Sequence, residues 1–185
     1  MRSLRVFLVV AAAAAVFPRL ASATTPPPAI DVIMSTVMQE HQTSISGLAI
    51  RGVIHSPRLI DNVSILPTIE WWRASNHVEP YGIETSRNDN TIGADARYDF
   101  LQMKTFVPYL GAGYSVHFLS SRVNAPALGV NDASKSITKG GLDALAGVSF
   151  PITTRVANFI ELKYHALSDY QQLKFNWGIS VGLGH

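Results

Sequence analysis

The sequence predicts an all-β protein, an antiparallel up-and-down transmembrane β-barrel of eight strands. Three observations predict it. Segment after segment alternates apolar and polar residues with a period of two, which gives a strand one greasy face and one polar face. The bulky apolar groups hold one face of each segment, while Gly, Ser, Ala and charged residues collect on the other. Large aromatics suit lipid, and small or charged groups suit the narrow lumen of an eight-stranded barrel. Past the N-terminal segment no apolar run reaches the length of a spanning helix, so any crossing falls to strands.

The first 23 residues read as a secretory signal peptide. Arg2 and Arg5 precede an apolar run over 6–17, and Ala21-Ser22-Ala23 is a small-residue cleavage site. Cleavage after Ala23 would leave Thr24 first, followed by a stiff leader over 24–29 with Pro26, Pro27 and Pro28. The barrel domain is expected over 30–185. Without Arg2, Arg5 and Arg19 the chain carries twelve Lys and Arg against thirteen Asp and Glu. That balance gives no argument for nucleic acid as a partner. There is no cysteine, hence no disulfide, no zinc–thiolate centre and no lipid-anchored N-terminus.

The strands follow in order. Residues 30–39 are apolar but alternate poorly. Residues 45–55 place Leu48, Ile50 and Ile54 opposite Ala49, Arg51 and Val53, and 63–74 place Ile65, Ile69 and Trp71 opposite Ser64, Thr68 and Glu70. Residues 91–100 oppose Ile92, Ala94, Ala96 and Tyr98 to Gly93, Asp95, Arg97 and Asp99. Residues 106–119 oppose Leu110, Ala112, Tyr114 and Phe118 to Tyr109, Gly111, Gly113, Ser115 and His117. Residues 140–150 set Leu142, Ala144 and Phe150 against Asp143, Leu145 and Gly147, and 156–166 set Ile160, Leu162 and Tyr164 against Glu161, Lys163 and His165. In 171–183, Leu173, Phe175, Trp177, Ile179 and Val181 oppose Gln172, Lys174, Asn176, Gly178 and Ser180.

The connections alternate short and long, with 75–90 and 120–139 as long polar loops. Hairpins crossing a membrane show this, with tight turns on one side and longer loops outside. The last strand must run toward the tight turns. Counting back, an upward strand is needed before residue 45, and this promotes 30–39 to the first of eight. The rival fold is a soluble, secreted lipocalin-like barrel, which would enclose its apolar groups around a ligand.

Three stretches carry a resemblance. Residues 107–118, with Pro108-Tyr109 followed by Gly111 and Gly113, resemble an internal strand of the small bacterial outer-membrane β-barrel family, of the OmpA transmembrane-domain and OmpW-like type. Residues 141–151 resemble its next strand, and 159–178 its terminal hairpin. Asn176, Gly178, Val181 and Leu183 match in place that family's C-terminal assembly signal, although the chain adds Gly184-His185 where the family ends on an aromatic residue. The resemblance implies residence in the outer membrane of a Gram-negative-type envelope, and contact with its lipid, its lipopolysaccharide and the barrel-assembly machinery.

Candidate chemistry is sparse. Parity turns Arg51, Glu70, Asp95, Arg97, Asp99, Asp143, Glu161, Lys163 and Lys174 toward the lumen. Charges there must pair or bear a large desolvation cost, so a structural salt-bridge network is expected, with a narrow ion path as the alternative. His165, Glu161 and Ser168 raise a second alternative, the lipid A deacylase type of barrel enzyme. Such enzymes carry His and Ser two apart on one strand face, whereas here the spacing is three. No catalytic residue, cofactor or metal is therefore assigned. The stretches 87–90 and 131–132 lack calcium-loop spacing and read as turn residues. The two long loops are expected to be extracellular, where a ligand of unnamed class would bind.

Overall fold

The computed structural model describes residues 27–39, 44–55, 62–78, 82–100, 105–126, 130–167 and 170–184. The expected signal peptide over 1–23 lies outside them. Eight strands follow one another: β1 (Ala29–Gln39), β2 (Ile45–His55), β3 (Val63–Val78), β4 (Ile83–Asp99), β5 (Val107–Ala125), β6 (Val130–Pro151), β7 (Val156–Leu167) and β8 (Tyr170–Gly182). Each pairs antiparallel with the next, and β1 closes the barrel on β8 from Ala29↔Gly182 to Gln39↔Gln172. Closure leaves no free edge around the girth of the barrel.

β1 alternates after all. Asp31, Ile33, Ser35 and Val37 are buried, while Ile30, Val32, Met34 and Met38 face outward. The hydrophobic pattern was weak because two of its inward positions are apolar as well. β1 also begins one residue before the expected start at Ile30, since Ala29 already pairs with Val53 and Gly182.

The apolar face is the outer one. Ile50, Ile69, Trp71, Ile92, Tyr114, Phe118, Leu142, Leu162, Phe175 and Trp177 are exposed, whereas Arg51, Glu161, Lys163 and Lys174 are buried. This overturns the lipocalin-like alternative. Apolar groups on the convex surface and charges within are the arrangement for which lipid, not water, is the outer solvent.

Most of the two predicted long loops is strand: 75–78 and 83–90 belong to β3 and β4, and 120–125 and 130–139 to β5 and β6. β3 and β4 pair continuously from Val63↔Tyr98 to Val78↔Ile83, and Gly82, just before β4, has a φ of +58°. β5 and β6 pair from Val107↔Ser149 to Ala125↔Val130, with one irregularity between Val123 and Ala125. At roughly 3.3 Å per residue, the 22 residues of β6 run about 70 Å. A tilted crossing needs only about 9–11 residues. The outward apolar series stops at Trp71, Ile92, Phe118 and Leu142, and beyond it β3 to β6 present Arg73, Asn88, Ser120 and Ser136. The neighbours stop sooner: β7 ends at Leu167, opposite Gly141, and β2 meets β3 no further out than Gly47↔Trp72. Four strands therefore project past the membrane as a sheet.

Candidate functional site: the lumen and the projecting sheet

Arg51 centres the lumen. From β2 its Nε donates to Asp31 Oδ2 on β1 at 2.8 Å, and its Nη1 donates to both Glu161 oxygens on β7 at 3.0 and 2.8 Å. Its guanidinium also lies 4.9 Å from the centre of the Phe159 ring. Tyr109 Oη and Asn176 Nδ2 donate to the same Glu161 at 3.2 and 2.9 Å. The planar fork of arginine is what allows one cation to serve two carboxylates.

Lys163 occupies the next layer, with Nζ 2.6 Å from Asp95 and 3.2 Å from Asp143. Gly113 lies between those two carboxylates in the ladder, paired with both Asp95 and Asp143. A Cβ there would collide with the Asp95 side chain and the Ala94 carbonyl, so the missing side chain is the space the ion pairs use. Lys174 stands directly opposite Lys163 in the β7–β8 ladder. Like charges so placed repel, and each lysine turns to its own acid, Lys174 reaching Glu70 at 2.8 Å. Nearer the turns, Arg97 pairs with Asp99 at 2.9 Å. All nine charges placed by parity thus point inward.

Two carboxylates escaped that count. Asp31 lay in the poorly alternating first strand. Asp89, expected in a solvated turn, is fully buried in β4, and its Oδ2 lies 2.8 Å from His117 Nδ1 and 3.3 Å from Gln172 Nε2. The signal for Asp89 was its parity with Thr91, Asp95 and Asp99, hidden by the lack of apolar partners on 83–90.

The histidines have other partners than the spacing suggested. His165 Nδ1 lies 2.7 Å from Asp143 and 3.2 Å from Ser115 Oγ, while Glu161 is held by Arg51. Ser168 lies outside the described residues. Ser115 Oγ also reaches His117 Nε2 at 3.1 Å, giving a Ser115–His117–Asp89 chain. The three are at most 1% exposed, so no substrate can meet the hydroxyl. Of the assembly-signal residues, Asn176 serves Glu161 and Gly178 lies under Phe159, while Val181 and Leu183 face outward.

The projecting sheet has a different character. Arg73, Arg87, Arg122, Lys135 and Lys139 stand on it, and Glu84 is the only carboxylate among its described side chains. A shallow concavity of about 380 Å³ on its outer face is lined by Arg73, Ser75, His77, Glu84, Arg122 and Asn124.

The family model described as Opacity family porin protein matches residues 61–185. The chain belongs to the Opacity porin family. It is a non-enzymatic outer-membrane β-barrel protein with a structural, small-solute-pore or surface-binding role. No curated protein matches the chain. Among solved structures, Neisserial surface protein A superposes with a TM-score of 0.60 at 20% identity, covering 84% of this chain and 96% of that one. Ail, the attachment invasion locus protein of Yersinia pestis, in complex with the heparin analogue sucrose octasulfate, gives 0.58 at 13% identity over 84% and 96%. The N-terminal β-barrel domain of Pseudomonas aeruginosa OprF gives 0.54 at 12% identity over 85% and 98%. At these identities the likeness is one of fold. The deacylase-type alternative falls with the family assignment.

Proposed function

We propose that this Opacity-family porin is a plugged barrel that presents the β3–β6 sheet to an anionic partner outside the cell. One observation carries the reading: β3 to β6 continue past the apolar belt, and the portion that projects is basic. A cluster of one sign attracts and orients an oppositely charged surface. The lumen supports the other half. Arg51, Lys163 and Lys174, each paired to carboxylates, occupy its cross-section and leave few groups to escort a solute. Export through the signal peptide, delivery by the assembly machinery and an immediate surround of lipopolysaccharide in a Gram-negative-type envelope complete the reading. N-terminal sequencing of the mature protein should begin at Thr24.

The test is retention of barrel-containing phosphatidylcholine vesicles on immobilised heparin. Retention should weaken as salt screens the charge and should fall in the Arg73→Gln, Arg122→Gln double variant. Vesicles that pass through unretained at low salt would refute the surface-binding role.

A further inference from the structure

The upper layer of the plug is a chain of buried side chains: Asp89 and Thr91 on β4, Ser115 and His117 on β5, and His165 on β7, none more than 4% exposed. Contacts so deeply buried must find their hydrogens within the chain. Carboxylates only accept, and this fixes each hydrogen in turn. Thr91 Oγ1 lies 3.1 Å from Asp89 Oδ1 and gives its one hydrogen there. Its 2.9 Å contact to His117 Nδ1 therefore needs a hydrogen on the nitrogen, as does the 2.8 Å contact from that nitrogen to Asp89 Oδ2. On the other side of the ring, Ser115 Oγ donates to Asp143 Oδ1 at 2.9 Å. With its single hydrogen spent, the 3.1 Å contact to His117 Nε2 needs a hydrogen on that nitrogen too. A histidine with hydrogens on both ring nitrogens is an imidazolium.

His165 is different. Its Nδ1 donates to Asp143 at 2.7 Å and toward Ser115 at 3.2 Å, while its Nε2 has no partner among the described residues, so one hydrogen suffices. The two rings lie edge to face, 5.0 Å between centres, where two like charges would repel. The neighbouring strands supply the counter-charge. Glu70 from β3, Asp89 and Asp95 from β4 and Asp143 from β6 face this layer, against Lys163 on β7 and Lys174 on β8. Lys163 is taken by Asp95 and Asp143 and Lys174 by Glu70, which leaves Asp89 to His117 and to the neutral amide of Gln172 on β8. Lys139, opposite His117 in the β5–β6 ladder, is a further cation on that side and is half-buried. β1 and β2 bring the uncharged Val37 and Gly47 beside Lys174 and Trp72. A buried carboxylate left without a cation would bear its full desolvation cost.

We infer that His117 is a buried proton-binding site: the folded barrel holds its ring as an imidazolium, and that proton clamps β4 to β5 and, through Ser115, to β6, just under the projecting sheet. Loss of the proton to solvent as the pH rises leaves two contacts competing for one hydrogen. Either Nδ1 keeps Asp89 and Nε2 faces the Ser115 oxygen with no hydrogen between them, or Ser115 turns to Nε2 and abandons Asp143. Alkaline conditions therefore weaken the top of the plug, a pH dependence seated in this one ring. None of this depends on what the sheet binds.

Nitrogen NMR of the folded barrel in phosphatidylcholine vesicles, with ring-labelled histidine, tests this at about pH 7.5, where a free imidazole is about nine-tenths neutral. One histidine should carry hydrogens on both ring nitrogens. That signal should be absent in His117→Gln and in Asp89→Asn, and present in His165→Gln. Urea unfolding gives a second readout. The parent takes up a proton on folding that the unfolded chain does not hold, so its folding constant should fall about tenfold per pH unit between about pH 7.5 and about pH 8.5. His117→Gln should abolish that slope. A His117 ring with hydrogen on one nitrogen, or equal slopes in the parent and His117→Gln, would overturn the inference. Should the variants fail to fold, the parent spectrum decides by itself, and the absence of any doubly protonated ring counts against the site.

Discussion

Replacing Arg51 by methionine removes one cation and strands two acids. Asp31 and Glu161 are each no more than 1% exposed, and they hold three of the arginine's nitrogen-to-oxygen contacts at 2.8 to 3.0 Å. Removing one partner of a buried pair costs about 3–5 kcal/mol, chiefly because the partner left behind is charged and dry. Glu161 keeps Tyr109 and Asn176 as donors, while Asp31 keeps no other side-chain donor among the described residues, so a loss near 4 kcal/mol is expected. With a urea slope of about 2 kcal/mol per molar, the midpoint should fall by about 2 M. Unfolding from lipid vesicles, followed by tryptophan fluorescence and by mobility on unheated gels, measures it. The reasoning also fixes the compensation. Adding Asp31→Asn and Glu161→Gln to Arg51→Met removes the orphaned charges, and the triple variant should recover most of the loss. A single variant within about 1 kcal/mol of the parent, or a triple variant no more stable than the single, would refute the claim that desolvated charge dominates here.

Three further outcomes follow from the same lumen. Planar-bilayer recordings of the folded protein should show conductance near zero, because paired side chains fill the described cross-section; steady ohmic current would count against the plug. Gly178→Ala should lose about 1–3 kcal/mol in urea unfolding, since its Cβ would strike the Phe159 ring and come within 2.7 Å of the Val32 carbonyl oxygen. Asp89→Asn should cost about 1–3 kcal/mol by weakening the contacts to His117 and Gln172, and Asn90→Ala, one residue on and facing outward, should cost almost nothing in the same assay.

The barrel could be read from the sequence where lipid touches it, and only there. Ile92, Ala94, Ala96 and Tyr98 alternate with Gly93, Asp95 and Arg97 because one face meets hydrocarbon and the other a packed lumen. Hydrophobic periodicity reports that difference of surroundings, not the strand itself. Beyond the belt neither face of 73–77, 83–88 and 120–124 is buried, so no alternation is demanded and the same extended backbone reads as loop. The first strand failed for the converse reason, with Ile33 and Val37 apolar on the inside and Val32 and Met34 apolar on the outside. Topology, not pattern, recovered it, because the last strand's direction requires an upward strand before β2.

Parity likewise located the charges but not their partners. That Arg51 joins β1 to β7 across the lumen, or that Lys163 takes two aspartates and leaves Glu70 to Lys174, depends on stagger between strands that are distant in sequence. The stagger also decides where the surface can be used. Strands β7, β8, β1 and β2 end near the belt while their four companions continue, so one half of the rim is cut away and the inner face of the other half is laid open. Below that opening the lumen is closed by ion pairs whose rupture is costly, so the projecting sheet rises from a floor that does not yield.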